Sequence, residues 1–198
     1  MRLPFLLLPL LVSIAAFGPE SSAQKQWKDF LVKPSANTYG PLSAGIRKCV
    51  VTKCHDADIA GSGDNFANLY KLLDLAETGN HYAMEIAFQI RPLYAKAASP
   101  SEAIYRSLGF SATREPTFFL ELIRKYHVST GVLENFVLQT SVESVDNLRA
   151  QREEWTRRVQ ALSRVREQRL LQLRDKAISL IQHQINESFT YPDNPPGK

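Results

Sequence analysis

The chain has 198 residues, 44% hydrophobic and 22% charged, with a formal net charge of +4. That balance is too apolar for general disorder, and the length suits one domain with its own core without requiring a second. The positive excess is concentrated in residues 146–176, where nine basic residues stand against five acidic ones, so only that segment has a field able to attract an anionic partner.

Residues 1–23 read as a signal peptide. Arg2 precedes the apolar run Leu3 to Phe17, and Ser21-Ser22-Ala23 places small residues ahead of Gln24, where signal peptidase needs them. The apolar run holds Pro4 and Pro9 and is shorter than the roughly 20 residues a membrane-spanning helix needs, so cleavage is expected and no transmembrane segment after it. A periplasmic or secreted protein follows, with residues 24–188 as a single helical domain and 189–198 as a disordered tail containing Pro192, Pro195 and Pro196.

After Gln24 the pattern predicts a short helix over 25–32 and then an extended stretch through Pro34, Gly40, Pro41 and Gly45. A helical turn or two over 43–54 would carry Cys49 and Cys54, the two cysteines of the chain, which an oxidising compartment would join in a short-range disulfide. Gly61-Ser62-Gly63 reads as a loop, with Asp64 as N-cap of the next helix.

Over 65–78 the residues Phe66, Leu69, Leu72, Leu73 and Ala76 recur at helical spacing. Gly79-Asn80 breaks that helix, and a second runs from His81 to Lys96 with a kink or early stop near Arg91, because Pro92 removes a donor and crowds the preceding turn. Further helices are predicted from Ser99 to about Leu108, over roughly 116–127 behind Pro116, and from near Val132. From Ser141 to Asn186 there is neither Gly nor Pro, and the apolar stripe predicts one long amphipathic helix, bent or split near Ser163.

A shift of 35 residues lays Leu69-Tyr70-Lys71 on Ile104-Tyr105-Arg106, Leu73 on Leu108, Leu75 on Phe110, and Ala83, Met84, Ala87 and Phe88 on Phe118, Phe119, Leu122 and Ile123. Two such helix-break-helix units over 65–130 resemble HEAT-like α-solenoid repeats. The resemblance implies an all-α fold of stacked hairpins, packed here with the long C-terminal helix.

Chemistry-bearing patterns are sparse. Cys49-Val-Val-Thr-Lys-Cys54-His55 echoes a haem-attachment motif but has four residues between the cysteines where two are usual, so a local disulfide is the plainer reading. Residues 56–67 match part of a calcium loop yet place Ala60 and Ala67 where ligands belong. The histidines 55, 81, 127 and 183 are in no zinc-ligand spacing, and neither a nucleophile elbow nor a phosphate-cradling loop is present. Carboxylates such as Glu85 and Glu121 fall on helix patterns where a solvated face explains them, and Asn186-Glu187-Ser188 fits a glycosylation sequon as a chance match. These readings predict neither a catalytic residue nor a metal or other cofactor.

The arginine-rich segment remains. Arg157, Arg158, Arg164 and Arg166 are the candidate partner-binding residues, able to pair with carboxylate or phosphate; internal pairs Glu153–Arg157 and Glu154–Arg158 would make the same segment an ordinary solvated face. The expected function is a non-enzymatic binding or scaffold module for a protein or an anionic envelope component, an inhibitor or immunity-type protein fitting equally. Nucleic acid is a poor partner for an exported chain, and the rival of another class is a redox or haem protein using Cys49, Cys54 and His55.

Overall fold

A computed structural model describes residues 22–54 and 66–190, with side chains through Ser188. Among the described residues there are nine α-helices and no strand: α1 Ser22–Val32, α2 Ala36–Thr52, α3 Ala67–Glu77, α4 His81–Ile90, α5 Ala98–Arg114, α6 Pro116–Lys125, α7 Thr130–Leu138, α8 Leu148–Leu162 and α9 Leu171–Thr190. The leader over 1–21, the loop and calcium-like residues 55–65 and the tail 191–198 lie outside them.

The helices pair as hairpins, α1 with α2, α3 with α4, α5 with α6 and α8 with α9, and the hairpins stack in two layers. One layer is α1, α3, α5 and α8; the other is α2, α4, α6 and α9, with α7 wedged among α5, α8 and α9. The fold is therefore all-α and built of helical hairpins, as the periodicity predicts.

The 35-residue correspondence has a physical basis. Ser107 donates to the carbonyl of Leu73 at 3.0 Å and Ser111 to that of Ala76 at 3.3 Å, so α5 lies alongside α3 and runs in the same direction. Leu69, Leu73, Ile104 and Leu108 are all buried at this seam, and Met84, Phe88, Phe119 and Ile123 fill the second layer. Tyr70 and Tyr105 break the equivalence: Tyr70 is exposed, whereas Tyr105 packs its ring 5.2 Å from that of Phe136.

Three boundaries differ from the sequence expectation. Helix α2 begins at Ala36 and continues through Gly40, Pro41 and Gly45, where an extended stretch is predicted. Its start is fixed by Thr38, whose hydroxyl accepts from the Ser35 amide at 3.1 Å, and burial of Leu42, Ser43, Ile46 and Cys49 outweighs the donor lost at Pro41. Helix α5 extends six residues past Leu108, because Ala112 and Ser111 still face the core.

The third concerns the C-terminal half. The long helix is split into a 3-10 turn over Val142–Ser144, α8, a second 3-10 turn over Gln168–Leu170, and α9. Asn147 starts α8 by accepting from the Ala150 amide at 3.0 Å. At the predicted break, the Ser163 hydroxyl folds back on the Val159 carbonyl, and Arg174 holds the Val165 carbonyl at 2.9 Å so that α9 returns along α8. The stop near Arg91 is also present: α4 ends at Ile90 and Pro92 opens a 3-10 turn.

A buried polar network ties the second layer together. Gln89 on α4 accepts from Ser43 on α2 at 2.9 Å and donates to Tyr39 at 3.2 Å and to Tyr126, just past α6, at 3.0 Å. Both of its amide hydrogens are donated and its carbonyl oxygen accepts, so neither polar atom of the buried amide lacks a partner.

Candidate functional site

Four of the eight arginines between 146 and 176, Arg152, Arg158, Arg169 and Arg174, bind other parts of the fold. Arg158 is 1% exposed, and one of its terminal nitrogens donates to the carbonyls of Val137 and, at 3.0 Å, Gln139. Trp155, one turn earlier on α8, donates to the intervening carbonyl of Leu138 at 2.9 Å. Helix α7 ends there, so these two side chains satisfy three consecutive carbonyls that have no partner within the helix. Burial pulls the Arg158 guanidinium down to about 10, with the Glu154 carboxylate opposing, which leaves it charged at neutral pH.

Arg158 is thus buried, away from any open face, and its apparent helix partner is engaged elsewhere. Glu154 accepts from the Ser141 amide at 3.0 Å and from the hydroxyls of Ser141 and Ser144 at 2.6 Å each, pinning the link between α7 and α8. Burial pushes its carboxyl up, but these hydrogen bonds prevail and hold it below the ordinary value. Glu153 pairs with Arg149 at 3.2 Å rather than with Arg157. Arg152 binds Ser188, and Arg169 pairs with Glu121.

Arg157, Arg164 and Arg166 are exposed. The latter two stand on the link between α8 and α9, whereas Arg157 borders a cavity of about 340 Å³ with Glu77, Phe110, Thr113, Arg114, Glu154 and Arg158. An adjoining cavity of about 420 Å³ shares Glu77 and Phe110 and is bordered also by Tyr70, Asp74, Arg106, Val142 and Glu143. Together they form a groove over α5, walled by α3 on one side and by α8 and the 142–144 turn on the other.

The groove has an aromatic centre between charged ends. Phe110 is half-buried at its centre, and Tyr70 and Val142 are among the exposed large hydrophobic residues, 41% and 61% accessible. Arg106, Phe110 and Arg114 follow one another at four-residue steps and so share a face of α5. Burial and the nearby Asp74 raise the Glu77 carboxyl, with Arg106 and Arg114 opposing. Sequence reasoning missed this site, though Arg106-x-x-x-Phe110-x-x-x-Arg114 was there to be read.

Cys49 and Cys54 form the expected disulfide, at the C-terminal end of α2, so neither sulfur is a free thiol; His55 lies outside the described residues. A second, more apolar cavity of about 330 Å³ adjoins it between α1 and α2, bordered by Trp27, Leu42 and Ile46. Glu85 is bound to Lys125 and accepts from Tyr126 at 3.0 Å. His81 stacks on Phe118, with ring centres 3.9 Å apart, and His183 lies 3.2 Å from Glu187. Among the described residues no group of His, Cys, Asp and Glu is placed to hold a metal ion, and no helix is long and apolar enough to cross a membrane.

Fold and groove define a class, an all-α protein of stacked helical hairpins with a mixed-charge channel across one layer. Comparison of the chain with protein-family models, with curated proteins and with solved structures finds no match.

Proposed function

We propose that the protein is an exported, non-enzymatic binding or scaffold module that holds another macromolecule in the periplasm or outside the cell. The groove over α5 is the observation that carries this reading. It combines apolar surface open to solvent with Arg106, Arg114 and Arg157, none of which is in an ion pair among the described residues. Guanidinium groups outside ion pairs, beside exposed aromatic and aliphatic side chains, are the makings of a protein-binding surface. The export half of the reading rests on Arg2, the apolar run to Phe17 and the small residues before Gln24.

The test has two parts. Sequencing the amino terminus of the protein recovered outside the cytosol should return Gln24; protein retained in the cytosol with Met1 in place sinks the export reading. Affinity capture from the envelope fraction should retain a macromolecule, with retention weakened by salt and by charge reversal at Arg157. Absence of any retained macromolecule sinks the binding reading.

A further inference from the structure

We infer that the groove over α5 takes an extended peptide segment of a partner protein, about five residues long, with acidic, apolar and basic side chains in that order along the groove. The inference rests on the binding-module reading and names the ligand class of that site.

Length comes first. From Ala103 to Arg114 the α5 floor advances 1.5 Å per residue, roughly 17 Å in all, and an extended chain covers that distance in about five residues. A folded partner would have to present a protruding strand or loop to enter a channel walled by α3 and α8; an extended segment enters directly.

Charge then sets the composition. At one end Arg114 and Arg157 are exposed, and of the two carboxylates bordering that cavity Glu154 is spent on Ser141 and Ser144, which leaves Glu77 alone against two guanidinium groups. That end has guanidinium groups to offer and takes a carboxylate. At the other end Asp74 and Glu143 are exposed against a half-buried Arg106, and it takes an ammonium or guanidinium group. Phe110 lies between, shared by both cavities, with Tyr70 and Val142 open beside the acidic end. The centre takes an apolar side chain, whose burial supplies the main driving force. A purely anionic polymer or lipid surface fits poorly, because Asp74, Glu77 and Glu143 would repel it.

The test uses the full mature chain and two fluorescein-labelled, end-capped peptides. Each carries two aspartates, a central leucine and two lysines, and the two run in opposite chain directions. One of them should bind saturably by fluorescence anisotropy, and Arg157→Glu and Glu143→Arg should each weaken it about tenfold, as expected for loss of one charge pair plus a new repulsion. Both residues are exposed, so circular dichroism should confirm the fold in each variant; Phe110→Ser should abolish binding.

Failure of both peptides to bind overturns the inference, as does binding that neither charge variant changes. So does binding of phosphatidylglycerol vesicles in place of the peptides. A macromolecule captured from the envelope whose retention ignores Arg157→Glu and Glu143→Arg overturns the groove assignment alone and leaves the module reading standing.

Discussion

Arg158 reaches the end of α7 across a gap that Gly109 keeps open. A Cβ at position 109 would stand 2.4 Å from the Phe136 carbonyl and 3.4 Å from a terminal nitrogen of Arg158. Helices α5, α7 and α8 therefore meet at one point, where an absent side chain admits a backbone and a buried cation secures it. The groove adjoins this junction, since Arg158 is among the residues that border it.

Adjacent arginines should accordingly behave in opposite ways. Arg158→Leu strands the carbonyls of Val137 and Gln139 and should cost about 3 kcal/mol in urea unfolding. Arg157→Ala, at an exposed position, should stay within about 0.5 kcal/mol of the parent. Equal losses from the two would contradict the division between fastening and docking.

Glycines provide a matched pair. Gly109→Ala should destabilise by about 2 kcal/mol, because the Phe136 carbonyl has to move, although alanine is the better helix former. Gly131→Ala, in the first turn of α7 with no atom outside its own turn within 4 Å of the added carbon, should stabilise by about 0.5 kcal/mol. Thermal unfolding followed by circular dichroism separates the two signs.

Acid should loosen the α7–α8 link. Glu154 has its folded value held below the ordinary 4.5, so its contribution to stability is complete above that pH and is lost as pH falls through the folded value. Unfolding free energy measured from pH 6 down to pH 2 should drop less steeply in Glu154→Gln than in the parent. Superimposable profiles would show that the three hydrogen bonds to this carboxylate carry no pH-dependent stability.

Reduction should have a modest and local effect. The Cys49–Cys54 bridge spans a sequence separation of 5, so loop-closure entropy limits its contribution to about 2 kcal/mol or less. A reductant should lower the melting temperature by several degrees while leaving the far-ultraviolet spectrum almost unchanged. Collapse of the helical signal on reduction would mean that the bridge organises far more than the end of α2.

What could be read from the residues depended on how local its cause was. The helix over Ala67–Glu77, the stop at Pro92 and the split at Ser163 follow from periodicity and from single residues acting on their own turn. The 35-residue shift foretold α5 alongside α3, because both seams bury the same apolar positions. Helix α2 through Gly40-Pro41 was hidden, since its stability comes from a core face that no local rule weighs against Pro. Asn147 was a legible cap passed over in a run without Gly or Pro. Arg158 could not be told from Arg157 by sequence: the two differ by about 100° around α8, and which of them turns inward depends on where α7 ends.

The parallel stacking of α3 and α5 carries a kinetic consequence. Each hairpin lies against the one made just before it, so every docking event closes a short loop and none waits for the far end of the polypeptide. A chain threaded out amino end first can consolidate as it emerges, rung upon rung. The returning α8–α9 pair is also the one that completes the groove's far wall, so the channel exists only once that pair has docked on the earlier rungs.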